Sequence, residues 1–501
     1  MVPCGAAIIE SDEKPTSASC RSRGPPRWPR PQRGGPLTSP VDLGIGPRVI
    51  PRAEHSISRA DISRNAVKVL YRLKDAGFQA CIVGGGVRDL LLGRIPKDFD
   101  VATDASPEQV RELFGNCQLI GRRFRLAHVR FRDEIIEVAT FRGVGGEDLE
   151  SEDRHVLDES GRIIKDNAYG SIEEDAWRRD FTINALYYNI ADFSIMDYVD
   201  GMADIAARRL RLIGDPETRF REDPVRMVRA ARLAAKLDLE IDAATAAAIP
   251  KLAPLLDAVP SARLFDEFLK VFETGHALES FRRLQAHGLF EHLFPATGAW
   301  LAADDAAGRR RAFIEQALAN TDSRVAAGMP VTPMFLFGVF LWGPVTERAR
   351  ELAAEGLAEM PALVQAGFEV TTAQVRRVAL PKRFSIPMRE MFHLQPRFGR
   401  RQGRRVQVTL QHRRFRAAFD LYLLRDVLGE ADPAAIRFWT DIQNVGGPAA
   451  SGHEPAAPEG AAEGDAEASG NGEGPPPRRR RRRSRSRGRS GRRAPEPAPA
   501  T

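Results

Sequence analysis

Cysteine is scarce in this sequence and badly placed for cross-linking. The 501 residues hold four, Cys4, Cys20, Cys81 and Cys117, with no CxxC pair among them. That spacing excludes a disulfide-stapled module and makes a reducing, cytoplasmic setting the expectation. The nine histidines are scattered without zinc-ligand spacing, and His128 reads as packed in its strand. Long apolar runs are missing too. The longest, Met334–Trp342 (MFLFGVFLW), falls far short of the roughly 20 residues a membrane helix needs, so no membrane insertion is expected and the run is assigned to a buried helix. The first 54 residues lack the central apolar region of a secretory signal. Their many prolines and the acids Glu10, Asp12 and Glu13 argue against an amphipathic presequence, leaving a disordered N-terminal extension as the expectation.

What is present is size, apolar content and an uneven charge. With 43% hydrophobic residues, a chain this long is expected to bury more than one core. Its formal net charge of +7 comes from one place: Arg478–Arg493 contains eleven arginines and no acid, and without them the charge would be −4. Such a run has nothing to bury and repels itself, so it cannot fold into a core. It can bind phosphate backbones without reading sequence.

The chemistry concentrates in Cys81–Thr103. An apolar β-prone run, Ala80–Val83, leads into Gly84-Gly85-Gly86, where backbone can approach a ligand closely. A helical pattern, Val87–Leu92, opens at those glycines and carries Arg88 toward an incoming phosphate. Asp98 and Asp100 follow. On a strand, period-2 spacing puts both carboxylates on one face, able to share divalent cations of the kind that phosphoryl transfer uses. Alone, Asp98-Phe99-Asp100 is equally a solvated turn; the preceding glycines favour the metal site.

GGGVRDLLLGRIPKDFDVAT (Gly84–Thr103) resembles the signature of the class II nucleotidyltransferases, the family of bacterial poly(A) polymerases and CCA-adding enzymes. Further motifs occur in the family's order: EVATFR (Glu137–Arg142), RRDFTINA (Arg178–Ala185) and RFREDPVRMVRAAR (Arg219–Arg232). The resemblance implies an α+β fold: a nucleotidyltransferase head with a mixed sheet and helices over residues 55–200, then an all-helical neck (201–265) and RNA-binding body (266–445), with a disordered Arg-rich tail (446–501). It also implies two Mg²⁺ ions and ATP as substrate, with Asp98 and Asp100 as metal-holding catalytic residues and Glu137 as a third metal ligand or an ordinary strand carboxylate. Asp180 is assigned to catalysis, with helix capping as the alternative, and Asn184 to holding it or the sugar. Gly84, Gly85, Arg88 and Arg179 are assigned to the triphosphate. On a helix expected over Glu222–Ala235, Asp223 and Arg226 share one face and are assigned to reading the base; an intrahelical ion pair is the alternative. Arg229 and Arg232 extend that stripe toward phosphates or acidic partners.

The arginine-rich loop in Leu119–Val129 (LIGRRFRLAHV), the stretch Leu380–Arg383, the run Arg397–Arg405 and the basic tail resemble the poly(A) polymerase branch. The expected activity is therefore template-independent transfer of AMP to RNA 3′ ends, a tailing that promotes RNA turnover, with RNA-decay proteins as candidate partners. A CCA-adding enzyme is the alternative, and a non-catalytic RNA-binding protein a third reading.

Overall fold

Short apolar β-prone runs separated by capped helices build the first half of the chain. The structure, a computed structural model, describes residues 46–121, 125–143, 156–157, 163–165, 169–304 and 307–445. Arg122 and Arg123 of the arginine-rich loop, most of the N-terminal extension and the tail Arg478–Arg493 lie outside the described residues. The chain begins with β1 (Arg48–Ile50), α1 (Arg64–Asp75), β2 (Ala80–Val83), α2 (Gly85–Leu91), β3 (Asp100–Thr103), α3 (Pro107–Leu113), β4 (Cys117–Ile120), β5 (Leu126–Arg130) and β6 (Ile135–Thr140). A separate ladder of β7 (Val156–Leu157) and β8 (Ile163–Lys165) precedes α4 (Ile172–Arg178), β9 (Leu186–Asn189), β10 (Ile195–Asp197) and α5 (Gly201–Ala206). Next come β11 (Arg209–Leu210), α6 (Pro216–Glu222), α7 (Val225–Leu237), β12 (Glu240–Ile241), α8 (Ala243–Leu252) and α9 (Ser261–Phe272); from there to Val445 the described chain is helical.

Eight strands form one mixed sheet in the order β1-β10-β9-β2-β3-β6-β5-β4. All neighbours are antiparallel except β3 and β6, whose parallel register sets Asp100 opposite Glu137. This is the α+β head and helical continuation that the sequence implied. Local chemistry explains several boundaries. Ser106 and Gln109 form a capping box around Pro107 at the first position of α3, and Ser63 caps α1, which buries Ala66, Val69, Leu70 and Leu73.

Two expected boundaries are corrected. The N-terminal extension does not run to residue 54: Arg48–Ile50 pairs with β10 at the sheet edge and buries Ile50. Helix Glu222–Ala235 is two helices, because Asp223, directly before Pro224, takes an extended conformation (φ −149°) that ends α6.

The run Met334–Trp342 lies in a 22-residue helix, Pro333–Ala354, and is largely buried, as expected. Its Phe337 and Phe340 pack with Phe268 and Phe294, at ring-centroid distances of 4.4 Å (Phe268–Phe337) and 4.8 Å (Phe294–Phe340). Burying each ring is worth roughly 1.5–3 kcal/mol. Among the described residues no helix is long and apolar enough to cross a membrane.

A buried polar chain ties the sheet side to the helices. Arg88 donates to Asp89 and, at 2.7 Å, to Asn184 Oδ1; Asn184 Nδ2 donates to Asp180 at 3.0 Å; Arg229 of α7 donates to the other Asp180 oxygen at 2.5 and 2.9 Å. Burial would raise the Asp180 carboxyl, yet Arg229, Asn184 and the Phe181 N–H hold it well below the ordinary carboxylate range. Removing one partner of such a pair strands the other charge. Arg229→Ala is therefore expected to destabilise the protein by about 3 kcal/mol, read as a lower denaturation midpoint at unchanged m; a midpoint like that of wild type would refute the pairing.

Glu273, just after α9, is the opposite case. Its Oε1 is buried without a hydrogen-bond partner, and burial pushes the carboxyl up to about 7. A raised folded-state value means the native protein holds the proton more tightly, so this contribution is complete below the unfolded value near 4.5 and is lost as pH rises through about 7. Glu273→Gln should therefore gain on wild type in thermal melts between pH 5 and 8, by about 1–2 kcal/mol once the remaining solvent contact is discounted. Parallel Tm curves for the two proteins across that interval would count against it.

Candidate functional site

The edge where β2 runs into α2 and meets the start of β3 collects the sequence-predicted residues. Gly84 sits at the turn with φ +73°, a conformation that favours glycine. A Cβ there would stand 3.6 Å from Arg179 Nη1 and 3.8 Å from Asp100 Oδ2, so the glycine leaves open a corner bounded by one cation and one carboxylate. Gly86 does a different job: a Cβ on it would lie 3.3 Å from the Phe99 ring and 3.6 Å from the Asp98 carbonyl. Its missing side chain lets Phe99 seat in the core between the two aspartates.

Asp98 and Asp100 do not share a strand. β3 opens at Asp100, and Asp98 lies in the loop before it. Alternation persists even so, with Asp98 exposed, Phe99 buried and Asp100 half-buried. Burial, then the like charges of Glu137 and Asp98, push the Asp100 carboxyl up to about 6, against the pull of Arg179. A carboxylate crowded by two others and half removed from water suits a divalent cation, whose charge would relieve both penalties. Asp98 and Asp100 thus fit the group. Glu137 fits less well as a ligand: its Oε1 is 3.2 Å from His128 Nε2 on the neighbouring strand. Among the described residues no three Asp, Glu, His or Cys side chains are arranged to hold an ion by themselves.

The two adjacent arginines separate. Arg178 turns to the Gly143 carbonyl. Arg179 is fixed by Asp175 Oδ2 (2.9 Å) and the Tyr187 hydroxyl (2.9 Å), with its guanidinium 5.3 Å from the Tyr187 ring centroid. Tyr187 in turn donates to Asp175 at 2.6 Å. Burial works against the Asp175 charge, but Arg179 and the Tyr187 hydroxyl hold its carboxyl below the ordinary value. Asp175 and Tyr187 were missed in the sequence; the only trace was the i,i+4 spacing of Asp175 and Arg179.

Arg88, expected to face the phosphate, is buried and committed to Asp89 and Asn184. Asp180, expected beside the metal pair, is spent on Arg229, Asn184 and the Phe181 N–H. Asn184 holds Asp180, and Arg229 reaches an acidic partner, each one of the roles considered from sequence. Arg88 is buried beneath the site, whereas Asp180 is partly buried and already holds three protein partners.

At the α6–α7 break, Asp223 accepts from Arg263 of α9 at 2.5 Å, and Arg226 donates to Glu222 (2.9 Å) and to the Arg219 carbonyl (2.8 Å). They do not share one helical face. Arg219 Nη2 donates to the carbonyls of Arg178 and Arg179 at 2.8 and 2.7 Å, clipping this break to the arginine at the glycine corner. Burial and the nearby Arg226 bring Arg219 down to about 10. Nothing local in the sequence pointed to Arg263.

Comparison with known proteins identifies the family. Family models match residues 80–211 (Poly A polymerase head domain), 238–301 (Probable RNA and SrmB-binding site of polymerase A) and 355–487 (Polymerase A arginine-rich C-terminus). Poly(A) polymerase I of Salmonella typhi is 52% identical over 378 residues, 75% of this chain and 81% of that protein. The Haemophilus influenzae enzyme of the same name is 45% identical over 79% of this chain and 88% of its own length. A CCA-adding enzyme of Lactobacillus helveticus is 37% identical over 44% of this chain and 53% of its own length. The crystal structure of the Bacillus stearothermophilus CCA-adding enzyme in complex with CTP superposes with a TM-score of 0.51 at 24% identity, covering 76% of this chain and 82% of that one, a likeness of fold. Since identity near one half extends over about four fifths of the relatives' length, the chain belongs to the poly(A) polymerase I family.

Proposed function

We propose that the chain transfers AMP from ATP to RNA 3′ ends without a template, and that Asp98, Asp100, Gly84 and Arg179 form the reacting corner. The observation that carries the assignment of roles is the convergence of Arg179 Nη1 and Asp100 Oδ2 on the space beside Gly84. In the reaction the primer's 3′-oxygen bonds to the α-phosphorus of ATP, the bond from that phosphorus to the β-phosphate oxygen breaks, and pyrophosphate leaves. Divalent cations, for which we favour Mg²⁺, would be held by Asp98 and Asp100 and would supply charge neutralisation and a lowered hydroxyl pKa.

The chain's own groups do the rest. Gly84 and Gly85 allow phosphates to approach the backbone, and Arg179, its Nε and Nη2 already anchored, presents Nη1 to them without reorganisation. Glu137 keeps the Asp100 carboxylate in a field that attracts cations. Asp223 and Arg226 are retained as base readers, in a form fixed beforehand by Arg263 and Glu222. Pairs held in one orientation suit one base better than alternation between two. RNA binding by the helical body, further contact with phosphates by the tail, a cytoplasmic location and protein partners from RNA decay complete the proposal.

Asp98→Ala and Asp100→Ala are each expected to lower AMP incorporation by about a thousandfold or more while leaving RNA binding within about twofold. Near-normal turnover in either variant would remove that residue from the site. Substrate choice is tested by offering ATP or CTP with oligo(A) and with a tRNA lacking its terminal CCA. Long extension of oligo(A) with ATP alone is expected; CTP incorporation that stops on tRNA would assign the chain to CCA addition.

A further inference from the structure

Helices Glu359–Arg377 and Lys382–Leu394 pack side by side in the helical part and leave a groove of about 560 Å³ between them. The first contributes Pro361, Val364 and Phe368; the second contributes Ile386, Arg389 and His393. These are i, i+3 and i+7 positions on each helix, so each presents one continuous face. Three of these side chains are left in water: Val364 is 42% exposed, Ile386 46% and Phe368 57%. Exposed apolar groups gathered in one groove, rather than scattered singly, mark a contact surface.

The polar groups narrow the occupant. The Arg389 guanidinium lies 5.4 Å from the Phe368 ring centroid, which makes a cation and an aromatic face one surface. Glu390 also lines the groove, but its oxygens are taken by Arg413 and, at 3.2 Å, by Arg414. Burial, then the neighbouring Arg389 and Arg397, lower the His393 imidazole against the pull of Glu390, and its Nε2 is buried. The groove therefore offers an exposed aromatic ring and a guanidinium, with its one carboxylate already paired. An acidic amphipathic helix would answer the charge, but any apolar side chain would serve it as well as a flat aromatic ring backed by a guanidinium. The groove's volume lies within the range of about 300–1,000 Å³ usual for small-ligand pockets, room for a nucleotide.

We propose that this groove binds single-stranded RNA upstream of the 3′ end, with a base stacked on Phe368 and its phosphate near Arg389. Aromatic and guanidinium platforms serve unstacked bases in this way, and the stacking tolerates any sequence. The inference rests on the RNA-tailing activity and adds to it a grip on the strand outside the reacting corner.

The experiment uses the full chain and a fluorescently labelled oligo(A), followed by anisotropy. Phe368→Ala and Phe368→Leu should each weaken binding about tenfold, whereas Phe368→Trp should stay within about twofold of wild type. Leucine keeps an apolar groove and removes only the stacking face, so it separates a base platform from a protein-docking surface. Arg389→Gln should lower the slope of log affinity against log salt by about one. AMP addition at saturating primer should not change in the Phe368 variants. Wild-type affinity in Phe368→Leu and Phe368→Ala, with the native protein still binding and extending oligo(A), overturns the groove and leaves the tailing activity standing. A native protein that neither binds nor extends oligo(A) overturns both.

Discussion

Asp180 is taken out of water and kept ionised, and much of the arrangement follows from how that charge is answered. A buried carboxylate costs several kcal/mol unless its lone pairs and its charge are both satisfied. Here Arg229 supplies the charge, and Asn184 and the Phe181 N–H complete the hydrogen bonds. Asn184 has only one carbonyl oxygen, and that oxygen accepts from Arg88, so α2, the turn at Thr182–Asn184 and α7 are fixed against one another through a single amide. Gly84 caps α2, and α7 begins directly after the break that carries Asp223. The corner at Gly84 and the α6–α7 break are thus tied together from below.

That tie bears on catalysis because the reacting groups have little freedom of their own. Arg179 is pinned by Asp175 and Tyr187, and Arg219 holds its carbonyl and that of Arg178. A preorganised guanidinium costs nothing to align when charge develops, which is where electrostatic catalysis gains over a mobile one. Asp100 is poised differently: crowded by Glu137 and Asp98 and partly desolvated, it waits for positive charge. The same corner therefore holds a satisfied cation and a frustrated anion, fitted to a ligand that brings both phosphate and metal.

Legibility from the sequence followed the range of each interaction. The cap of α3 is set within four residues and is readable directly from Ser106, Pro107 and Gln109. So is the glycine and aspartate signature, because turn, helix start and metal pair are adjacent in the chain. β1 was hidden because three strand residues between Pro47 and Pro51 look like any other proline-rich linker until β10 supplies the partner strand. The protein partners of Arg88, Asp180 and Asp223 were hidden from the sequence for one reason. Each matches a motif of charged residues near a site, and only the fold shows that the charge is consumed by Asp89, Arg229 or Arg263. The Asp223–Arg263 pair spans forty positions, and no periodicity connects them.

The arginine-rich loop in Leu119–Val129 carries a resemblance to the poly(A) polymerase branch, and the α6–α7 break offers a physical account of nucleotide choice. A base reader that must accept first one base and then another needs side chains able to exchange partners. Asp223 and Arg226 instead meet α9 and α6 through charge-assisted bonds of 2.5 to 2.9 Å, and Arg219 connects the same break to the phosphate arginine. Rotating either side chain would break a partly buried ion pair before any new bond to a base forms, a loss larger than the gain from one base-edge hydrogen bond. On the proposed base-reading role, selectivity for a single nucleotide would follow from the stiffness of this pair, and the helices that supply Arg263 and Arg219 would be as much a part of it as the two residues themselves.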